Sequence, residues 1–388
     1  MRVLITGVDG YLGWPLAIEL LERGHEVAGI DAYYRRQWVC EMSSDSALPI
    51  ASMQERRAAL QAVLRQTMTW YEGDLRDPDF VQATVEEVEP DAIVHLGECP
   101  SAPYSMIDPA HATFVQTNNI VSTMNISFAA ATLPKRPHIV KLGTMGEYGT
   151  PNIDIPEGFF EILYKGRKDT LPFPRQASSW YHWSKVHGSN NLMFAAKLMR
   201  LRVTDVMQGV VYGTRSDAPR CAEFQTRFDI DESFGTVVNR FCAAAVMGEA
   251  LPMYGGGEQR RGFLPLRDSM QCLRLILENP PQEGEYRVVN QFDSVYSIAD
   301  LAQAVASVSE GFGLKTRLSI IDNPRIERQN HYYNPDHAQL ARLGYRPVGD
   351  LVGELRVMIQ DLLPHRLRLQ SLAHVLQPKI NWVNKTCD

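Results

Sequence analysis

A strand, a glycine turn and a helix open this chain, and no other stretch restricts its fold as much. Residues 2–6 (RVLIT) form a short apolar run suited to a buried parallel strand. Residues 7–13 (GVDGYLG) follow without a gap, and an amphipathic stretch from Trp14 to Arg23 ends at Gly24. In such a unit Gly7 permits the tight turn, Gly10 lets a pyrophosphate reach the backbone, and Gly13 lets the helix pack on the strand. The next strand, residues 26–30, ends in Asp31, about twenty residues past the glycines. A carboxylate there accepts hydrogen bonds from an adenosine ribose and repels a 2′-phosphate, which favours NAD over NADP. Arg35 and Arg36 pull mildly the other way, because guanidiniums suit a 2′-phosphate. Asp31 carries more weight, since the fold fixes its place at the strand end.

Strand–helix alternation continues and predicts a doubly wound α/β fold, a parallel sheet with helices on both faces. A long polar segment, about 32–66, is too long for a routine connection and is expected to form a lid or excursion near the cofactor. A strand at 68–72 leads to Asp74 and Leu75, which either bind and cover the adenine or form a turn and helix cap. Further strands are expected at 91–96, 138–142 and 202–207, with helices at 78–88 and about 109–131; the latter carries Asn118, Asn119 and Asn125 where a core helix would be apolar. Ligands of such sheets lie at the carboxyl ends of the strands. Leu96, Gly97, Thr144 and Gln208 should therefore ring one cleft, with Asn118 and Val211 added to the cofactor side. Past 210 the alternation fades, and Arg261 and Arg325 are candidates to clamp a diphosphate, whereas Arg202, Arg328 and Arg342 read as solvated. Residues 1–210 are expected to bind the dinucleotide, with a return segment near 233–275. The remainder, 211–388, should form a smaller, discontinuous substrate-binding domain and a tail.

Tyr181 and Lys185 stand four apart in WYHWSK, on one face of a predicted helix. An ammonium there can lower the phenol's pKa and make Tyr181 an acid/base near neutrality. Thr144, just past the fifth strand, can hydrogen-bond the same substrate oxygen, or serve as a turn cap.

Net charge is −6 with a pI near 6.0, which excludes nucleic acid and anionic membranes as expected partners. No apolar run has the length of a membrane span, and Met1 leads directly into the first strand. Six dispersed cysteines without a Cys-x-x-Cys spacing read as free thiols, so no metal site is expected and the chain is read as cytoplasmic.

Taken together, the glycine triplet and the Tyr-x-x-x-Lys pair resemble the extended short-chain dehydrogenase/reductase (NAD-dependent epimerase/dehydratase) family, whose members modify nucleotide sugars. Longer motifs narrow the resemblance to the UDP-sulfoquinovose synthases: SAPYSMID at 101–108, KLGTMGEYGTPNID at 141–154, QASSWYHWSKVH at 176–187, QGVVYG at 208–213 and NPRIE at 323–327. Those enzymes convert UDP-glucose and sulfite to UDP-sulfoquinovose. The resemblance implies that Tyr181, with Lys185, takes the C4 hydroxyl proton while C4 is oxidised, and that Thr144 orients the C4 oxygen. It implies His182 and Glu147 for proton transfers at C5 and C6, and Ser101, Met145, Gln208, Asn239, Arg261, Asn290 and Arg325 as substrate contacts. A homodimer through two long helices is the family expectation. Sugar 4,6-dehydratases carry an Asp-Glu pair directly after the threonine; Met145 and Gly146 stand here instead.

One departure concerns the last step. The synthases read GEQRSAPYSMID, whereas this chain has Gly97, Glu98, Cys99 and Pro100 before Ser101. A guanidinium beside the reacting carbon suits an anionic nucleophile, and proline has neither charge nor donor. Pro265 likewise stands where the synthases carry an aspartate. Two outcomes stay open at C6: sulfite addition, or UDP-hexose 4-epimerase or 5,6-dehydratase chemistry without sulfite.

Overall fold

The computed structural model describes residues 1–325, 331–380 and 382. Ile326, Glu327, Arg328 and Cys387, which enter the sequence reading, lie outside the described residues. Five strands start the central sheet: β1 (Arg2–Thr6), β2 (Glu26–Asp31), β3 (Thr69–Glu72), β4 (Ala92–His95) and β5 (His138–Thr144). Strands Arg202–Gln208 and Tyr286–Gln291 complete it, in the order Tyr286–Gln291, Arg202–Gln208, β5, β4, β1, β2, β3. Every pairing in this sheet is parallel. Continuous burial of runs such as Val3–Ile5 and Ala92–Val94 follows from helices covering both faces.

On one face, helix Gly13–Glu22 sets Trp14, Leu16, Ala17 and Leu20 against Met270, Leu273 and Ile276 of helix Leu266–Glu278. On the other, Val81 and Val85 of Pro78–Val88 pack with Ile126 and Ala130 of Pro109–Thr132 and with Leu192 and Ala196 of Trp180–Met199. Each such fully buried aliphatic side chain contributes about 1.5–3 kcal/mol before entropy is charged against it. The strand order reverses between β2 and β4, on either side of β1. That reversal opens a crevice at the strand ends.

A second core joins helices Val237–Met247, Ile298–Glu310 and Leu351–Leu362 through Phe241, Val305, Leu355 and Met358. The chain re-enters the central sheet at Tyr286–Gln291, beyond the expected 233–275 stretch, although Leu266–Glu278 within that region does pack beside the first helix. An exposed antiparallel hairpin, Phe159–Tyr164 with Arg167–Pro172, was not foreseen, since it buries no face that would impose a clean alternation on its sequence.

The 32–66 excursion folds into helices Tyr34–Glu41 and Met53–Ala59, the second started by a Ser52–Glu55 capping box. It is stapled to the segment around residue 228. Ala47 N donates to Phe228 O (2.8 Å), Phe228 N donates to Ser46 Oγ (2.9 Å), and Arg56 Nη2 donates to Gln225 O (3.1 Å). Among the described residues no helix is long and apolar enough to cross a membrane.

Candidate active site

The crevice is a cleft of about 340 Å³ lined by the carboxyl ends of β1, β2, β4, β5 and Arg202–Gln208. Its floor is the glycine turn. Gly7 sits at φ +73°, and a Cβ on it would come within 2.8 Å of the Leu96 carbonyl carbon. A Cβ on Gly13 would stand 2.2 Å from Gly7 O, so both positions exclude any side chain. Gly10, Tyr11 and Leu12 complete this wall. Asp31 projects from the end of β2, and its carboxylate accepts from Asp9 N (2.8 Å) and Tyr33 N (2.7 Å). Burial and the neighbouring Asp9 push its pKa up to about 6 against those two bonds. Backbone donors at the turn, an acid at the second strand end and a narrow apolar slot with Leu75 and Leu96 fit a dinucleotide.

Gly97, Asn118, Gln208, Val211, Asp74 and Arg35 also line the cleft. Asp74 caps no helix: it accepts from Tyr34 Oη (2.9 Å) and Arg76, while Asp77 supplies the cap of the following helix. Arg35 pairs with Asp229 (2.7 Å). Arg36 is the one expected cofactor residue that is not among those lining the cleft. It donates to both oxygens of Asp9 (2.7 Å each), and the wholly buried Arg56 joins the same carboxylate at 2.8 Å. A carboxylate inside the glycine turn thus holds two guanidiniums, and neither is aimed at a 2′-phosphate.

Thr144, Tyr181 and Lys185 meet in the cleft. Thr144 ends β5, and its Oγ1 accepts from Gly146 N (3.1 Å), so the turn-cap reading holds together with the cleft position. Ser179 caps the Trp180–Met199 helix and thereby sets the first-turn placement of Tyr181. Lys185 Nζ donates to Leu142 O (2.7 Å), pairs with Glu98 and lies 5.8 Å from the centre of the Tyr181 ring. The expectation that the Lys185 ammonium brings the phenol's pKa down toward neutrality is corrected here. Burial first, then Glu98 and Glu147, push Tyr181 well above its ordinary value, with Lys141 opposing.

His182 packs against Tyr181 with its ring tilted by 51° (ring centres 4.9 Å) and places Nδ1 2.9 Å from Ser179 Oγ. Its Nε2 lies against Gly146, where a Cβ would come within 2.4 Å. Burial, with Arg325, Arg261 and Lys185 adding their charge, lowers its pKa to about 3, so the ring is neutral. Arg261 Nη1 lies 3.0 Å from His331 Nε2, and Arg325 stacks over Tyr254 and Trp382.

Glu147 is elsewhere. It is fully buried, accepting from Arg175 Nη1 (2.9 Å), Ser189 Oγ (3.1 Å) and Thr144 N (3.3 Å), with Lys141 Nζ at 3.7 Å. Burial raises its pKa against those cations. Its partners turn it inward, behind the cleft wall. Ser101, Met145, Asn239 and Asn290 are buried as well. Ser101 Oγ donates to Ser233 O (2.6 Å), and Asn290 bonds Tyr148 Oη and Asp336 O. Asn239 accepts from Gly213 N (3.4 Å), and Met145 packs with Tyr148 and Phe292.

The sequence reading named Glu98 and Asn119 without giving either a role, and both support the site. Glu98 lines the cleft and pairs with Lys185. Asn119 accepts from Cys99 N (2.7 Å) and donates to Cys99 O (3.1 Å) and Ser184 Oγ (2.9 Å), tying the β4 loop to the Tyr181 helix. A carboxylate immediately past a strand-end glycine was the available signal for the first. Pro100 also lines the cleft, and the Cys99 thiol is buried with its pKa pushed up to about 12 by that burial.

Residues 3–290 match the sequence profile of the NAD dependent epimerase/dehydratase family. The chain is 47% identical over 383 residues to a UDP-sulfoquinovose synthase of Sulfolobus acidocaldarius, covering 98% of each chain. It is 47% identical over 347 residues to the chloroplastic UDP-sulfoquinovose synthase of Spinacia oleracea, covering 89% of this chain and 72% of the other. Among solved structures, UDP-glucose 4-epimerase of Thermotoga maritima with UDP-glucose superimposes with a TM-score of 0.69 at 18% identity, over 93% of this chain and 98% of that one. UDP-glucuronic acid 4-epimerase of Bacillus cereus, in complex with UDP-glucuronic acid and NAD, gives 0.69 at 19% identity, over 93% and 99%.

Proposed function

Because this chain belongs to the NAD dependent epimerase/dehydratase family, we propose that it converts UDP-glucose and sulfite to UDP-sulfoquinovose through a 4-keto sugar. The observation that carries this reading is the meeting of Thr144, Tyr181 and Lys185 in the cleft built on the glycine turn. Full-length similarity to the synthases supplies the substrate.

In this reading Gly7, Gly10 and Gly13 cradle the NAD pyrophosphate and Asp31 holds the adenosine ribose. When bound, NAD supplies oxidation and later reduction at C4 and brings a positive charge to the site. Tyr181 accepts the C4 hydroxyl proton, and Lys185 offsets the charge that develops on the phenol. Thr144 orients the C4 oxygen. The 4-ketone acidifies C5–H, and neutral His182 takes that proton and hands it to the departing C6 hydroxyl, which leaves as water. Sulfite then adds to C6 of the conjugated ketone, C5 takes a proton from solvent, and C4 is reduced as Tyr181 returns its proton to the C4 oxygen. Glu147, with its inward partners, supports the wall rather than the proton transfers. Arg261 and Arg325 stand on the His182 side, and their charge suits the UDP diphosphate.

A second reading has one observation in its favour. Pro100 lines the cleft where the synthases carry arginine, which favours a 4-epimerase or 5,6-dehydratase without sulfite. The purified protein incubated with UDP-glucose in D₂O, with and without sulfite, separates the two by chromatographic resolution of the sugar epimers followed by mass spectrometry. A sulfonated product is expected. Deuterium at C5 or loss of water without sulfonation selects the dehydratase, and 4-epimerised sugar without deuterium selects the epimerase. Tyr181→Phe should cut turnover by about 10²–10⁴-fold while NAD stays bound.

A homodimer belongs to the same proposal. Exposed apolar side chains stand on both long helices: Met124 and Phe128 on Pro109–Thr132, and Trp183, Phe194 and Leu198 on Trp180–Met199. A second copy of this chain is their proposed cover. The cytoplasm is the proposed compartment.

A further inference from the structure

We propose that Glu98 is the positioning residue that fixes where Lys185 lies and thereby sets how tightly Tyr181 holds its proton. Glu98 follows β4 by three positions, is 5% exposed and lines the cleft. One carboxylate oxygen takes the Lys185 ammonium. A second ammonium N–H goes to Leu142 O at 2.7 Å, so two of the three donors are committed to the wall. Lys185 is therefore held from two sides and does not swing freely over the phenol.

The other Glu98 oxygen lies 3.5 Å from Thr123 Oγ1. Behind that hydroxyl stands His95, with Nε2 3.3 Å from Thr123 Oγ1 and Nδ1 2.9 Å from Thr6 Oγ1. Thr6 Oγ1 accepts from Leu96 N (3.2 Å) and Gly97 N (3.1 Å), which leaves its own proton for His95 Nδ1. His95 then carries its proton on Nε2, toward Thr123. Asn119 clamps the next peptide through Cys99 N and O. A buried polar chain thus runs from the last residue of β1 to Thr123, whose hydroxyl donates to Asn119 O (2.8 Å), and Glu98 stands beside its end with the lysine.

A buried ion pair is about neutral for stability when compared with an apolar pair, so folding does not account for this one. Its electrostatic consequence does. The carboxylate cancels much of the ammonium's field at Tyr181 and itself disfavours a phenolate. The charged and titratable groups facing the phenol are Glu98, Glu147 and Cys99, which resist its ionisation, and Lys141 and Lys185, the latter 5.8 Å from the ring centre, which favour it, with His182 neutral beside it. Lys185 first, and Lys141 with it, hold Glu98 ionised against the push of burial. His95 stays neutral at about 4, chiefly through burial.

This inference rests on Tyr181 as the proton acceptor, and its test titrates the phenol directly. The phenolate absorbance of the NAD-loaded protein is followed against pH, and subtraction of Tyr181→Phe isolates Tyr181. Glu98→Gln should lower the midpoint by about one pH unit or more, and Glu98→Asp should stay near the wild type. The acid limb of the turnover profile should follow the same shift. A Glu98→Gln midpoint within a few tenths of the wild type overturns the proposal. If Glu98→Gln does not fold, Lys185→Met and the Glu98→Gln/Lys185→Met double variant replace it. The first should raise the midpoint and the second bring it down again, and equal midpoints overturn the proposal. A shifted midpoint in an enzyme whose Tyr181→Phe form still turns over leaves the Glu98 pairing standing and sinks the functional reading.

Discussion

Asp31 shows how one carboxylate acts in opposite directions on binding and on folding. Its raised pKa of about 6 means that the folded protein resists ionising it. In the proposed binding mode ribose hydroxyls donate to the ionised form, so NAD affinity should fall as pH drops through about 6, by up to tenfold per pH unit. Calorimetric titration against pH checks this, with Asp31→Asn flat across the same range. For folding the sign reverses. The folded pKa lies above the ordinary 3.8, so the folded state binds more protons between 3.8 and about 6, and this group's contribution to the free protein's stability falls as pH rises through that window. Melting curves of the free wild type and Asp31→Asn should converge at the acid end. The sequence made Asp31 legible because a strand end fixes its position. Arg36 was not legible in the same way: its partner Asp9 lies inside the turn, and only the folded excursion brings Arg36 and Arg56 to it.

The element that holds Thr144 is the short turn after β5, and its hidden support is the cluster of Glu147, Lys141, Arg175 and Asp205. Glu147→Ala leaves two buried cations short of a partner and should destabilise the protein by about 3–5 kcal/mol, measured by urea unfolding. The same variant should lose turnover through displacement of Thr144 and Met145, with the acid limb of the pH profile moving down as the Glu147 charge on Tyr181 is lost. Loss of a limb of the profile, rather than its shift, would return Glu147 to the proton transfers. At this scale the sequence was informative where periodicity and punctuation agree. The glycine turn, the helix at 78–88 and the strands from 2 to 144 fell within a residue or two of their observed ends. It was uninformative where tertiary contacts decide. Nothing local to Glu147 tells an inward carboxylate from one facing the cleft, and nothing local to Ser101, Asn239 or Asn290 tells a buried hydrogen-bond partner from a substrate contact.

Across the whole molecule, the exposed apolar side chains of the two long helices make assembly testable. Phe194→Glu together with Phe128→Glu should turn a dimer into a monomer in sedimentation velocity, with NAD still bound by each chain. A single unshifted species for wild type and variant would remove the helices from the interface. The sheet carries a consequence of another kind. Its last strand, Tyr286–Gln291, pairs with Arg202–Gln208 only after residues 209–285, with helix Val237–Met247 of the second core, have been strung between them. A chain leaving the ribosome therefore exposes Arg202–Gln208 as an open, apolar edge for nearly eighty residues of synthesis, several seconds at ordinary elongation rates. During that interval the nascent chain offers an open template for mispairing, so slower synthesis or scarce chaperones should lower its yield in a cell.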